Sequence, residues 1–241
     1  MTKKKTILIL GAAGLLGNII SQKLSKSYEI IGFSHKKNQN KNIIKSNYDI
    51  FSSKEDSFLK KADIIINCIG ENSDEVKMKK INMDVLKKIK IKINKLKKKT
   101  TFIHISTCGV YGNLADRLIN EETMPRPKTR YSKTKHEGEG ILIHELKNST
   151  KLIILRPSQV IGTTMKNTSL KKLYYFIKKK IFFFVNNKNA IFSYIFAEDL
   201  IIVIDRLIKI KRHQNIVYNI SNKITYDKLV KIIQKALNQK F

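Results

Sequence analysis

The chain of 241 residues is expected to fold as a doubly wound parallel α/β sheet with a small C-terminal lobe. Three observations carry that expectation. Short apolar runs alternate with longer amphipathic stretches, as strands buried on both faces alternate with covering helices. The first apolar run leads straight into a glycine-rich turn and a helix pattern. Hydrophobic residues make up 42% of the chain, enough for a substantial core and too many for a disordered protein.

The strand-like runs are residues 6–10, 29–33, 64–67, 101–106 and 151–155. Between them lie helical segments. Over 83–98, Leu86, Ile89, Ile93 and Leu96 recur at spacings of three and four, with lysines mainly on the other, solvated face. A loop over 120–130 contains Pro125 and Pro127, two of the three prolines. After residue 160 the pattern changes. Residues 171–180 read as a helix, 181–185 as an aromatic strand and 200–210 as a helix. A short strand at 217–220 and a last helix at 225–238 follow. The chain thus divides into a unit over 1–160 and a shorter, partly interleaved lobe over 161–241.

Lys plus Arg number 48 against 19 Asp plus Glu, a formal charge of +29. The basic residues are 42 Lys and only 6 Arg, scattered along most of the chain. Lys, Ile and Asn are over-used together, and each has a codon built only from A and T. Most of the excess is therefore read as compositional drift onto solvated faces, although a polyanion-binding surface would carry the same signature. The start MTKKK plus the apolar residues 7–20 imitates a secretory leader. Gly11, Gly14 and Gly17 interrupt that run, and no A-x-A-like cleavage site follows. No stretch reaches the ~18 apolar residues of a membrane span, and the nearest, 190–204, carries Glu198 and Asp199. Two cysteines, Cys68 and Cys108, exclude a disulfide scaffold and lack zinc-site spacing. A cytoplasmic protein is expected.

In GAAGLLG, residues 11–17, Gly11 permits a tight turn, Gly14 a close backbone approach to a pyrophosphate, and Gly17 close packing of helix on strand. The helix start at Leu15 and Leu16 then offers amides and a positive dipole end to phosphates. Further motifs follow in order: Asp49-Ile50; NCIG, residues 67–70; Asn82; ISTCGVYG, 105–112; YSKTK, 131–135; LRPSQVIG, 155–162; SYIFAEDL, 193–200; and VYNIS, 217–221. The G-x-x-G-x-x-G spacing and this succession resemble the extended short-chain dehydrogenases/reductases, in particular the NAD-dependent epimerase/dehydratase group that acts on nucleotide sugars. The resemblance runs along nearly the whole chain and implies a Rossmann-type NAD(P)-binding domain followed by a shortened substrate-binding lobe.

What the resemblance implies residue by residue is as follows. Gly11, Gly14, Leu15, Leu16 and Gly17 hold the pyrophosphate, and Asp49 and Ile50 meet adenine. Cys68, Ile69, Gly70, Asn82 and Pro157 line the cofactor. Thr107, Tyr131 and Lys135 catalyse, with Lys135 also on the nicotinamide ribose. Thr107, Cys108, Tyr131 and Gln159 meet substrate. Physically, positions four apart on a helix share a face, so Tyr131 and Lys135 can act at one site. A phenol is a poor base near neutrality. A neighbouring ammonium and an oxidised nicotinamide would bring it toward the working range.

Dehydratases of this group place Asp-Glu directly after the catalytic Thr. Cys108 and Gly109 stand there, which disfavours dehydration and leaves epimerase or reductase chemistry on a nucleotide-linked sugar, in polysaccharide precursor synthesis. No acid follows the second strand. Ser34, His35, Lys36 and Lys37 would receive a 2′-phosphate, which favours NADP over NAD. Gln159 replaces a common Asn, Phe196 a common His, and the arginine before SYIFAEDL is missing.

A homodimer through the helices near Met83 and Tyr131 is implied, and no metal. His104 reads as a core histidine, and the cluster Tyr174, Tyr175, Phe176 and 182–184 as core of the lobe. The rival reading is a non-catalytic NAD(P)-binding protein with a basic RNA- or partner-binding surface. The intact Thr107, Tyr131 and Lys135 set argues against it.

Overall fold

The computed structural model describes residues 4–35, 43–45, 53–113, 118–147, 149–162, 168–185, 187–210 and 216–238. In chain order the elements begin with β1 (Thr6–Leu10), α1 (Leu15–Leu24), β2 (Glu29–Ser34), β3 (Ile43–Lys45), α2 (Ser53–Lys61) and β4 (Ile64–Asn67). Then come α3 (Glu75–Lys79), α4 (Val85–Asn94), β5 (Thr100–Ile105), α5 (Arg130–Glu145), β6 (Thr150–Pro157) and β7 (Gln159–Ile161). The last are α6 (Thr168–Lys178), β8 (Ile191–Phe196), α7 (Ala197–Lys209), β9 (Ile216–Ile220), β10 (Asn222–Thr225) and α8 (Tyr226–Ala236).

Seven strands form one sheet in the order β3-β2-β1-β4-β5-β6-β9, and every pair in it is parallel. Chain order reverses beside β1, so a crevice opens past the carboxyl ends of β1 and β4, where such sheets bind ligands. Because successive side chains point to opposite faces, Ile7 and Ile9 join a core with Ile20 of α1 and Ile204 of α7. Leu8 and Leu10 join a second core with Leu59 of α2, Ile89 of α4 and Leu142 of α5. The apolar runs without polar alternation are thus strands with helices on both sides.

The C-terminal part of the chain is shared. β9 pairs with β6 in the large sheet, while β10, β8 and β7 make a three-stranded sheet of their own. Glu198 and Asp199, which broke the longest apolar run, lie in the first turn of α7, where carboxylates suit the helix dipole. Among the described residues no helix is long and apolar enough to cross a membrane.

Two expectations fail here. Residues 181–185 form no strand, and most of the aromatic cluster is not core: Tyr174, Tyr175, Phe176, Phe183 and Phe184 are exposed, whereas Ile177 of α6 is buried. The amphipathic pattern of α6 is real, but its buried stripe is narrow and packs against α8. The helix expected over 83–98 also starts earlier, at Glu75, and passes through one π-helical turn at Lys80–Asp84.

Candidate active site

The glycine turn sits at the crevice. Gly11 has φ +80°, the left-handed region that favours glycine, and its amide and that of Ala12 both donate to the Phe33 carbonyl oxygen at 2.9 Å. A Cβ added at Gly11 would lie 3.1 Å from the backbone carbon of Cys68 and from the Ile69 nitrogen. One added at Gly17 would run into the Gly11 carbonyl oxygen. Gly14 begins α1 with no side-chain cap, so the first amides of the helix face the crevice without a side-chain acceptor. Leu15 is exposed on that first turn, and Leu16 packs against the core. Ser34, buried, and His35, exposed, end β2 next to the turn. Lys36, Lys37, Asp49 and Ile50 lie outside the described residues.

The end of β4 forms the next wall. Asn67 is fully buried; its Oδ1 accepts from the Ile69 amide at 3.1 Å and its Nδ2 meets His104 Nδ1 at 3.0 Å. Asn82 stands in the π-helical turn, a local irregularity frequent at functional sites. Its Oδ1 accepts from the Glu71 amide, and its Nδ2 donates to the Glu71 carbonyl and to Thr134 Oγ1. Asn82 therefore ties the loop after Gly70 to α5. Its side chain is committed to that brace rather than turned to a ligand. The Glu71 carboxyl is held down at about 2, first by the Ser73 hydroxyl and then by neighbouring amides.

Helix α5 opens on a capping box. Thr129 Oγ1 accepts from the Ser132 amide, and Ser132 Oγ accepts from the Thr129 amide. Tyr131 and Lys135 follow on one face. Lys135 is buried; its Nζ donates to the Ile105 carbonyl oxygen at 2.6 Å and lies 3.5 Å from His104 Nε2. Burial lowers its pKa to about 8, with Glu139 and Cys68 pulling the other way. His104 is fully buried and held neutral by burial and by Lys135. Burial also pushes the Tyr131 phenol above its ordinary value. In the protein alone, burial thus favours the protonated phenol.

Thr107 caps a short 3-10 turn, Cys108–Tyr111, with its Oγ1 accepting from the Gly109 amide at 3.0 Å. That bond leaves the hydroxyl hydrogen available to a ligand oxygen. A Cβ on Gly109 would lie 3.3 Å from Thr107 Oγ1 and 3.6 Å from Ser132 Cβ, so Gly109 lies between Thr107 and the first turn of α5. The Cys108 thiol donates to the Arg156 carbonyl oxygen at 2.8 Å, and burial raises it to about 11. Burial likewise raises Cys68 to about 12, so neither is an activated thiol. Pro157 ends β6 and Gln159 begins β7 beside this turn.

Reading motifs misses the support beneath the site. Arg156 makes two bonds to the buried Glu139, Nε to Oε1 at 3.0 Å and Nη2 to Oε2 at 2.7 Å. Its Nη1 donates to the Tyr111 hydroxyl, which donates to Asn219 Oδ1. Glu139 is four residues beyond Lys135, a spacing visible in the sequence whose partner was not. Ser106 Oγ, Ser158 Oγ and Asn219 Nδ2, at the same ends of β5, β6 and β9, are buried without a hydrogen-bond partner among the described residues. Buried polar atoms seldom go unpaired, so these three mark where a ligand's polar atoms can sit. Among the described residues no group of three His, Cys, Asp or Glu has metal-site geometry.

A glycine cradle filled by any Cβ, an uncapped helix start and orphaned polar atoms are features that a bound dinucleotide would fit. The chain belongs to the NAD dependent epimerase/dehydratase family, whose sequence profile matches residues 7–221. One curated relative is a GDP-6-deoxy-D-talose 4-dehydrogenase of Aggregatibacter actinomycetemcomitans, 30% identical over 123 residues. That match covers 50% of this chain and 41% of the relative, so the chain matches less than half of that enzyme.

Similar solved structures include a UDP-glucuronic acid 4-epimerase from Bacillus cereus in complex with NAD, with TM-score 0.80 and 19% identity, over 98% of this chain and 84% of the other. The Bordetella bronchiseptica enzyme WbmG in complex with NAD has TM-score 0.82 and 18% identity, over 98% and 79%. MoeE5 in complex with UDP-glucose and NAD has TM-score 0.80 and 14% identity, over 96% and 81%. At these identities the likeness establishes a shared Rossmann-like fold.

Proposed function

We propose that the protein is an NAD(P)-dependent epimerase or reductase of a nucleotide-linked sugar, with Tyr131 as its acid/base. The observation that supports this reading is that Lys135, four residues beyond Tyr131 on α5, bonds the end of β5 at Ile105, two residues before Thr107. When bound, the dinucleotide supplies a hydride acceptor or donor at its nicotinamide. In the reductive direction Tyr131 gives its phenolic proton to the substrate's carbonyl oxygen as carbon receives the hydride. In the oxidative direction it takes the hydroxyl proton, which requires the phenolate and hence positive charge nearby. Thr107 donates to the same oxygen and orients it. Elimination of water would need an acid/base pair after Thr107, and the raised, hydrogen-bonded Cys108 thiol supplies none.

The product of such a reaction would be a precursor of surface polysaccharide made in the cytoplasm. The relatives whose structures hold NAD favour that cofactor over the NADP that Ser34, His35 and Lys36 suggest. A homodimer through α4 and α5 is supported by the exposed Ile91 and Ile143 on those helices, and light scattering tests it.

The reading is tested with UDP- and GDP-linked hexoses, following sugar products and nicotinamide absorbance. Tyr131→Phe is expected to lose about a hundredfold or more of turnover while still binding the dinucleotide. Unchanged turnover in that variant would remove Tyr131 from the chemistry.

A further inference from the structure

The last turn of α6 and the chain beyond it carry an apolar surface that the catalytic reading does not use. Ile181 is 58% exposed, Phe183 74% and Val185 80%, and Tyr174, Tyr175, Phe176 and Phe184 are also exposed. Contiguous exposed apolar surface of this kind marks an interaction site.

The segment is built, not loose. Lys180 adopts φ 58°, a left-handed turn rarely given to a residue other than glycine or asparagine. The Ile181 amide donates to the Phe176 carbonyl and that of Lys180 to the Ile177 carbonyl, the two bonds of a Schellman ending. This ending folds Ile181 back on α6. The rings of Phe182 and Phe184 meet edge to face at 5.0 Å.

Charge distinguishes the possible occupants. Lys171, Lys172, Lys178, Lys179 and Lys180 are all exposed on or just after α6. Between Glu145 and Glu198 the sequence has nine lysines and Arg156 but no acid at all. A second copy of the chain would set these lysines against their own counterparts. A nucleic acid would engage lysines and rings but has no use for the exposed aliphatic side chains of Ile181 and Val185. An anionic bilayer takes all of it: aromatic and aliphatic groups enter the interface while lysines reach the phosphates.

We propose that this face, from Tyr174 to Val185, docks the protein on anionic membrane surfaces without spanning them. The proposal does not depend on the catalytic reading, and the test involves no turnover.

The test is co-sedimentation of the purified chain with vesicles of phosphatidylcholine alone and with vesicles containing phosphatidylglycerol. Wild type is expected to bind the phosphatidylglycerol vesicles about tenfold or more tightly, with binding weakened by salt. Phe183→Ser with Val185→Ser, and separately Lys178→Glu with Lys179→Glu, should each lose about tenfold on them. The chain has no tryptophan, so Phe183→Trp gives a background-free probe whose emission should shift blue on those vesicles. Wild type that ignores phosphatidylglycerol vesicles overturns the proposal. So does a Phe183/Val185 variant that binds them like wild type, since the overall charge would then suffice. Light scattering in which wild-type copies pair and that variant does not would overturn it too, making the face a contact between copies.

Discussion

Lys135 donates from its buried ammonium to the Ile105 carbonyl oxygen across 2.6 Å, joining α5 to the end of β5 through the residue that the Tyr-x-x-x-Lys motif marks. A lysine so placed carries a cost. Its pKa falls from 10.5 to about 8 through burial, so between those values the folded protein has released a proton that the unfolded chain still holds. Stability from this group therefore rises with pH through that window, by roughly 3 kcal/mol in all. Lys135→Met lacks that rise. Urea unfolding at pH 7 and pH 10 should show any advantage of the variant at the lower pH shrinking at the higher. A wild-type-minus-variant difference that is independent of pH would contradict the burial of a charged amine.

The Glu139–Arg156 pair predicts a different response. Both side chains are buried, and removing one leaves the other charge without its partner. Glu139→Gln should cost about 3–5 kcal/mol in urea unfolding, and adding Arg156→Met should recover part of it. Equal losses in the single and double variants would show that packing, not charge pairing, sets the cost.

At the glycine turn the two kinds of glycine separate. Gly17→Ala drives a methyl into the Gly11 carbonyl oxygen, whereas a Cβ at Gly140 meets nothing within 4 Å. Dinucleotide titration should therefore show an affinity loss of about tenfold or more for Gly17→Ala, while Gly140→Ala, mid-helix, should leave binding alone and stabilise by roughly 0.5–1 kcal/mol. Equal affinities for the two variants would dissociate the turn from cofactor binding.

Much of the fold was legible because strands covered on both faces have little choice of residue. The runs at Thr6–Leu10 and Ile64–Asn67 coincide with β1 and β4, and the glycines between β1 and α1 announce the turn. β3, β7 and β10, of three or four residues, were too short to leave a period. The π-helical turn at Asn82 left no period in the sequence, and the side chain's bond to Thr134 spans 52 residues. His104 was legible as core but not as a neighbour of Lys135, since β5 and α5 meet only in three dimensions. The aromatics after Lys172 were misread for a physical reason as well. Hydrophobicity says that a group seeks cover, not that this chain supplies it.

The most direct test of the central claim is mass spectrometry of the nucleotide released when the purified protein is denatured, followed by titration of the nucleotide-free chain. NAD or NADP in stoichiometric amount, or saturable binding of either by the emptied chain, is the predicted result. A chain that releases neither and binds neither would contradict an NAD(P)-dependent enzyme at this site.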